Sequence, residues 1–131
     1  GAKLTNAILK SSKLGKANLT GASAAKADFT NASGIKANLS YINLTGATLV
    51  NTNLTSAKLS SSYLLQANLT GANLSSITAM YSNMTSVNLT SANLTNATID
   101  YAFMFGAITT GAVQTGAIFT GTQMPNGTIQ P

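Results

Sequence analysis

A five-residue period runs from one end of this 131-residue chain to the other, and it excludes the ordinary secondary structures. The unit is cleanest in Ala67-Asn68-Leu69-Thr70-Gly71 and again in Ala17-Asn18-Leu19-Thr20-Gly21. Stepping by five from Leu4, with the large apolar residue as the centre, gives 26 centres, of which 21 are Leu, Ile, Met or Phe. The residue two before the centre is small, and 17 of those 26 positions are Ala. A period of five matches neither the ~3.6 of a helix nor the ~2.0 of a strand. It fits three extended residues followed by a corner. In the extended part the centre and the residue two before it face inward, while the residues flanking the centre face out.

The corner residues carry the same message. Two after the centre stand Gly21, Gly46, Gly71, Gly106, Gly111, Gly116 and Gly121, with Asn6, Asn31, Asn51, Asn96 and Asn126. These types tolerate the positive φ needed at the third position of a type II turn. Met124-Pro125-Asn126-Gly127 places Pro one step earlier, where that turn prefers it, so the register is expected to run to the C-terminus without an insertion. Corners held by Ser, Lys, Tyr or Gln are expected to include turns of another type.

On these residues the chain resembles the pentapeptide-repeat proteins, whose unit is Ala-(Asp/Asn)-Leu-x-x, and the resemblance covers the whole length. It implies an all-β fold, a right-handed quadrilateral β-helix with four units to a 20-residue coil, and so about six and a half coils. At ~4.8 Å per coil the rod is roughly 30 Å long. One solenoid domain spans 1–131, with regular coils over 2–101 and an irregular C-terminal coil and tail over 102–131. The family's gyrase-protecting members are dimers whose acidic rods resemble DNA. This chain has seven Lys, two acidic residues and a net charge of +5, so that activity is not implied.

Charge and chemistry are sparse. There is no His, Cys, Trp, Arg or Glu, and the two acids are Asp28 and Asp100. Acid–base and metal chemistry draw on His, Cys, Glu and paired Asp, which are missing here; Lys, Ser and Tyr remain as nucleophile types, but the sequence groups them in no buried or isolated constellation. No catalytic residue, metal site or cofactor is therefore expected. The seven lysines all lie in the N-terminal half, the last of them Lys58. On a 20-residue coil Lys16 and Lys36 stack at one corner with Lys10, Lys13 and Lys26 nearby, a candidate contact for an anionic polymer or membrane surface; the plain alternative is a solvated end. Nucleic acid is not expected, because the patch lacks Arg for base edges and aromatics for stacking. No apolar run approaches a membrane span, which needs ~18 residues or more. The compartment is left open, whether cytoplasmic or, after removal of a leader, periplasmic or thylakoid-lumenal.

Three further features follow from the coil period. Ala24 and Gly34 replace large centres, and Phe29 is expected to fill part of that volume. Asn53, Asn73 and Asn93, flanked by Thr55, Ser75 and Thr95, are expected to hydrogen-bond along a ladder; such an array is also a candidate lattice or ice-binding face. Tyr81 and Tyr101 are one coil apart at a corner, with Tyr41 two coils below Tyr81; they are expected to stack, with a partner-binding strip as the alternative reading.

Near the C-terminus Thr109 and Gln114 occupy centres, while Phe103, Ile108, Val113 and Ile118 precede centres. In an unbroken register these four point outward, one on each side of a single coil, with Phe105 beside them; in a register slipped by one residue they turn inward. The glycines at 106, 111, 116 and 121 favour the unbroken register. An outward apolar belt marks an interface, so Phe103, Phe105, Ile108, Val113 and Ile118 are candidate contacts for a homodimer, as in some members of the family. The function expected from all this is a structural or protein-interaction module of the cyanobacterial type, with surface binding through the lysines or the Asn/Thr faces as the alternative.

Overall fold

The computed structural model describes residues 1–131. The residue before each centre pairs in parallel with its counterpart four units on, in an unbroken series from Lys3↔Ser23 to Phe103↔Gln123. Corners fall at every fifth residue, so each turn of the rod has four sides. We number the sides by their first-turn residues: side one begins at 2–5, side two at 7–10, side three at 12–15 and side four at 17–20, and each side recurs once per turn.

The backbone hydrogen bonds explain the length of the unit. In Leu69-Thr70-Gly71-Ala72, the Ala72 amide closes the corner onto the Leu69 carbonyl at 3.0 Å. The Leu69 and Gly71 amides donate up the rod to the Asn88 and Thr90 carbonyls at 2.8 and 2.9 Å. The Asn68 amide donates down the rod to the Ala47 carbonyl at 2.9 Å. Four of the five amides in a unit are thus used by backbone alone. The fifth, at Thr70, has no backbone acceptor.

That amide explains the asparagine. The Asn68 Oδ1 accepts from the Thr70 N–H at 3.1 Å and from the Thr70 hydroxyl at 2.6 Å. The same short-range closure of the N–H is found in ten units, at Asn18, Asp28, Asn38, Asn43, Asn53, Asn68, Asn73, Asn83, Asn88 and Asn93. The Asn/Thr ladder expected from the sequence is therefore corrected. The carbonyl of each Asn is turned to its own unit, two residues on, because an Asx side chain reaches that amide without leaving the chain. Within the ladder only Thr55 and Ser75 approach each other between coils, at 3.5 Å.

The expectation of mixed corner types is also corrected. Every corner residue from Asn6 to Gly121 has positive φ, including Lys16 at 60°, Lys36 at 58°, Gln66 at 58° and Tyr81 at 57°. Left-handed backbone costs an L-residue about 1–2 kcal/mol. It persists at these side chains because each corner amide is fixed to a carbonyl of the next coil, as Lys36 is to Thr55 at 2.9 Å, so the stack over-determines the turn. At three of the seven glycine corners the side chain of the corner below leans onto the glycine, whereas at Gly21 the space is open. A Cβ at Gly121 would meet the Tyr101 ring at 2.5 Å, and one at Gly116 or Gly71 would meet the Oδ1 of Asn96 or Asn51.

The core is a column of stacked centres, with Leu44, Leu64, Leu74, Leu89, Leu94 and Ile99 among those fully buried, and with Ala filling most of the slots two before them. At Ser62 and Ser82, which hold that slot, the hydroxyl donates to the centre carbonyl three residues back, at 2.5 Å to Leu59 and 2.7 Å to Ala79, whereas the buried Ser12 hydroxyl has no partner. A small apolar cavity lies where Gly34 replaces a large centre, walled by Phe29, Leu39, Leu44 and Leu54. Phe29 fills part of it, and Leu54 leans in to within 2.9 Å of where a Gly34 Cβ would stand.

The rod is regular well beyond residue 101. Bridges Asn83↔Phe103, Asn88↔Ile108, Asn93↔Val113 and Thr98↔Ile118 keep the register unbroken, and Gly106, Gly111, Gly116 and Gly121 hold left-handed corners. The register ends at Met124, which corrects the expected uninterrupted run to the C-terminus. Gly127, at φ 88°, and not Asn126 takes the left-handed position, and the Gly127 amide closes a turn onto Met124 at 2.9 Å. This is the hairpin in which a type I turn is followed by a left-handed glycine. The chain then reverses, with Met124 donating to Thr128 at 2.7 Å, Gln130 to Thr122 at 2.9 Å and Gly121 to Gln130 at 2.8 Å. This antiparallel return covers the last edge of side one.

Candidate interaction surfaces

Folding into four sides separates the lysines that the sequence brings together. Lys16 and Lys36 do stack, one turn apart, at the corner between sides three and four. Lys10 and Lys13 flank the preceding corner. Lys26 is corrected: it stands at the corner between sides one and two, diagonally across the rod from Lys16, because it lies two corners further along the chain. All five side chains are exposed. Lys10 is engaged, 3.3 Å from the Asp28 carboxylate on the next turn of side two.

Asp28 holds the position that Asn holds in nine of the units. Its Oδ1 accepts from the Thr30 hydroxyl at 2.6 Å and the Thr30 amide at 2.9 Å. These bonds, hydroxyl first, keep its pKa below the ordinary carboxylate value; burial opposes them and Lys10 adds a smaller lowering. Asp100 closes a different gap, its carboxylate accepting from the Thr120 amide one turn up at 2.9 Å. No grouping of His, Cys, Asp and Glu suited to a metal ion is present.

The five C-terminal apolar residues face solvent, with Phe103 and Phe105 at 55% exposure and Ile108, Val113 and Ile118 at 49–50%. Phe103 and Phe105 share side one, whereas Ile108, Val113 and Ile118 take sides two, three and four. They form a ring around the rod, so no flat partner lying along one side can touch them all. A partner on the rod's end can, with the ring as its rim. That end is open on three sides. The amides of Thr109, Gly111, Gln114, Gly116 and Phe119, which in lower turns would donate up the rod, have no backbone acceptor. Thr109 and Phe119 are half-buried and Gln114 is exposed.

The corner tyrosines belong to a larger grouping than the sequence shows. The exposed aromatics Tyr41, Tyr63, Tyr81, Tyr101, Phe103 and Phe105 all lie on side one or its leading corner. Tyr81 and Tyr101 stack as expected, with ring centroids 5.3 Å apart and planes 9° from parallel. Tyr63 escapes a search of the corner column because it belongs to the side; taking the corner and side columns together, turn by turn, brings it in.

Four sides, parallel pairing at a constant register and a single apolar column define the class: a parallel β-helix solenoid. The family is then plain. A model described as pentapeptide repeats (8 copies) matches residues 1–33, 12–49 and 37–75, and the chain belongs to the pentapeptide-repeat family, whose fold is a right-handed β-helix. Among solved structures, QnrB1 (R167E, trypsin treated), a plasmid-mediated fluoroquinolone resistance protein, is 17% identical with a TM-score of 0.74, over 94% of this chain and 70% of that one. HetL, involved in heterocyst differentiation regulation in the cyanobacterium Nostoc sp. strain PCC 7120, is 28% identical with a TM-score of 0.41, over 98% of this chain and 64% of that one. A pentapeptide repeat protein of the Arabidopsis thaliana thylakoid lumen is 24% identical with a TM-score of 0.38, over 79% of this chain and 65% of that one. This chain thus spans just under two thirds of HetL. No curated protein matches it. No helix is long and apolar enough to cross a membrane.

Proposed function

We propose that this chain is a non-catalytic, rigid interaction module, a solenoid of about six and a half coils that binds protein through its C-terminal end, and that the partner there is a second copy. The observation that carries this reading is the coincidence, on one end, of an outward apolar ring and five amides without backbone acceptors. Unpaired edge amides and exposed apolar groups together favour docking of a second chain. The return of residues 128–130 blocks side one alone.

Fluoroquinolone resistance is not proposed for this chain. The likeness to QnrB1 is one of fold, and function is argued from sites grafted on a fold; the site-level features here are a net charge of +5 and two acidic residues. Anionic-surface binding is the second reading. The Lys16–Lys36 stack favours it, while the pairing of Lys10 with Asp28 and the opposite placement of Lys26 weaken it.

Sedimentation over a concentration series tests the first reading, comparing the intact chain with Ile108→Asp/Ile118→Asp. Both residues face solvent, so the variant should keep its far-UV circular dichroism. A dimer that becomes a folded monomer in the variant is the expected result. An intact chain that stays monomeric at high concentration, or a variant that still dimerises, refutes end-on self-association.

A further inference from the structure

We propose that side one, with its leading corner, is a docking strip for a neutral linear polysaccharide. This goes beyond the end-on contact above and rests on a lateral surface that meets the C-terminal ring only at Phe103 and Phe105. The exposed aromatics are unevenly distributed around the rod. Tyr41, Tyr81 and Tyr101 occupy the corner column and Tyr63, Phe103 and Phe105 the adjoining side, all between 48% and 63% exposed. Side two carries no exposed aromatic, and sides three and four carry none either. Six large rings on one of four sides, at least one in each of four successive turns, make a strip along the rod axis. Asn43 and Asn83 stand between the rings with Thr45 and Thr85 beside them, so amide and hydroxyl groups border the apolar surface.

The chemistry of the strip selects the partner. From Tyr41 onward neither side one nor its leading corner carries a charged side chain, and Asp100, just before the Tyr101 corner, is engaged with the Thr120 amide. A uniformly uncharged strip offers nothing to an anionic polymer or a charged peptide. Its dimensions also count. Four layers at ~4.8 Å and a side about three residues wide give roughly 20 by 10 Å, or about 200 Å². A stable protein interface buries ~800 Å² on each partner, four times as much. A partner one chain wide is therefore the better match.

An extended peptide is one chain wide, but its backbone would find no pairing here. The ladder amides along side one are already bonded between turns, as Tyr63 is to Ile42 at 2.9 Å and Leu64 to Asn83 at 2.7 Å. Laying unpaired peptide groups on aromatic rings costs their hydration. A pyranose chain avoids that cost, since its C–H faces suit the rings while its hydroxyls at the edges reach amides, hydroxyls and water. The Tyr81–Tyr101 pair, stacked on each other, serves as a rigid border; Tyr41, Tyr63, Phe103 and Phe105 supply the platform.

Retention on microcrystalline cellulose, insoluble xylan and insoluble mannan, with titration of cellohexaose by calorimetry, tests the proposal. The strip variant is Tyr41→Ser/Tyr63→Ser. Ser already occupies the same two columns at Ser61 and Ser23, so the fold should survive, and neither residue belongs to the C-terminal ring. Expected are retention on at least one of the polymers that is unchanged by added salt, weakened about tenfold or more in the strip variant, and intact in Ile108→Asp/Ile118→Asp. Failure to bind any of the polymers overturns it, as does equal binding by the folded strip variant or binding that fades with salt. A dimer that the strip variant abolishes also overturns it, because side one is then a self-contact.

Discussion

Removing one asparagine side chain from the middle of the rod tests the account of why the unit contains Asn at all. In Asn93-Leu94-Thr95 the Oδ1 accepts from the Thr95 amide at 3.0 Å and from its hydroxyl at 2.6 Å. The Thr95 amide has no backbone acceptor. Asn93→Ala deletes both bonds, each worth about 0.5–1.5 kcal/mol. Thr95 is half-buried, so water recovers part of the loss and the net cost is about 1–1.5 kcal/mol. For a chain of this size that lowers Tm by about 3–5 °C. Asn93→Asp keeps the acceptor, as Asp28 does with Thr30 at 2.9 and 2.6 Å, and is expected within ~0.5 kcal/mol of the parent. Thr98→Ala is the control: Thr98 holds the same place on side four, and its side chain closes no such amide. Urea unfolding at neutral pH measures all three. If Asn93→Ala matches Thr98→Ala, or if Asn93→Asp is as damaging as Ala, the closure does not stabilise the unit and the asparagine must be explained otherwise.

Two other outcomes are expected. Because the folded-state pKa of Asp28 is depressed, its stabilising contribution is present above the unfolded-state value near 3.8 and is lost as pH falls through the folded value; Asp28→Asn should flatten this acid limb in thermal melts from pH 5 to pH 2, and an unchanged limb would assign it elsewhere. Gly116→Ala puts a Cβ at φ +69° onto the Asn96 Oδ1, with an expected loss of about 1–2 kcal/mol, partly restored by adding Asn96→Ala; no restoration in urea unfolding would mean that the backbone alone sets the cost.

What the sequence determined by itself was the repeat and everything that a local period carries: inward Leu and Ala, outward Asn and Thr, and a corner in every unit. These are fixed within a single unit, by side-chain size and by the short reach from Asn68 to Thr70. The outward orientation of Ile108, Val113 and Ile118 was legible too, because glycine corners continue on both sides of them. What the tertiary structure decided depends on groups one or more turns away. Lys16, Lys36 and Tyr81 adopt left-handed backbone only because the next coil supplies acceptors for their amides, which intrinsic preference does not reveal. Lys16 and Lys26 are only two units apart in sequence, yet they stand on diagonal corners in space. Tyr63 joins Tyr41, Tyr81 and Phe103 because stacking turn upon turn converts four separate positions into one strip. The C-terminal reversal was hidden for a similar reason: Pro125-Asn126-Gly127 reads as another corner until the last edge of side one, with no coil above it, offers its free groups to the returning chain.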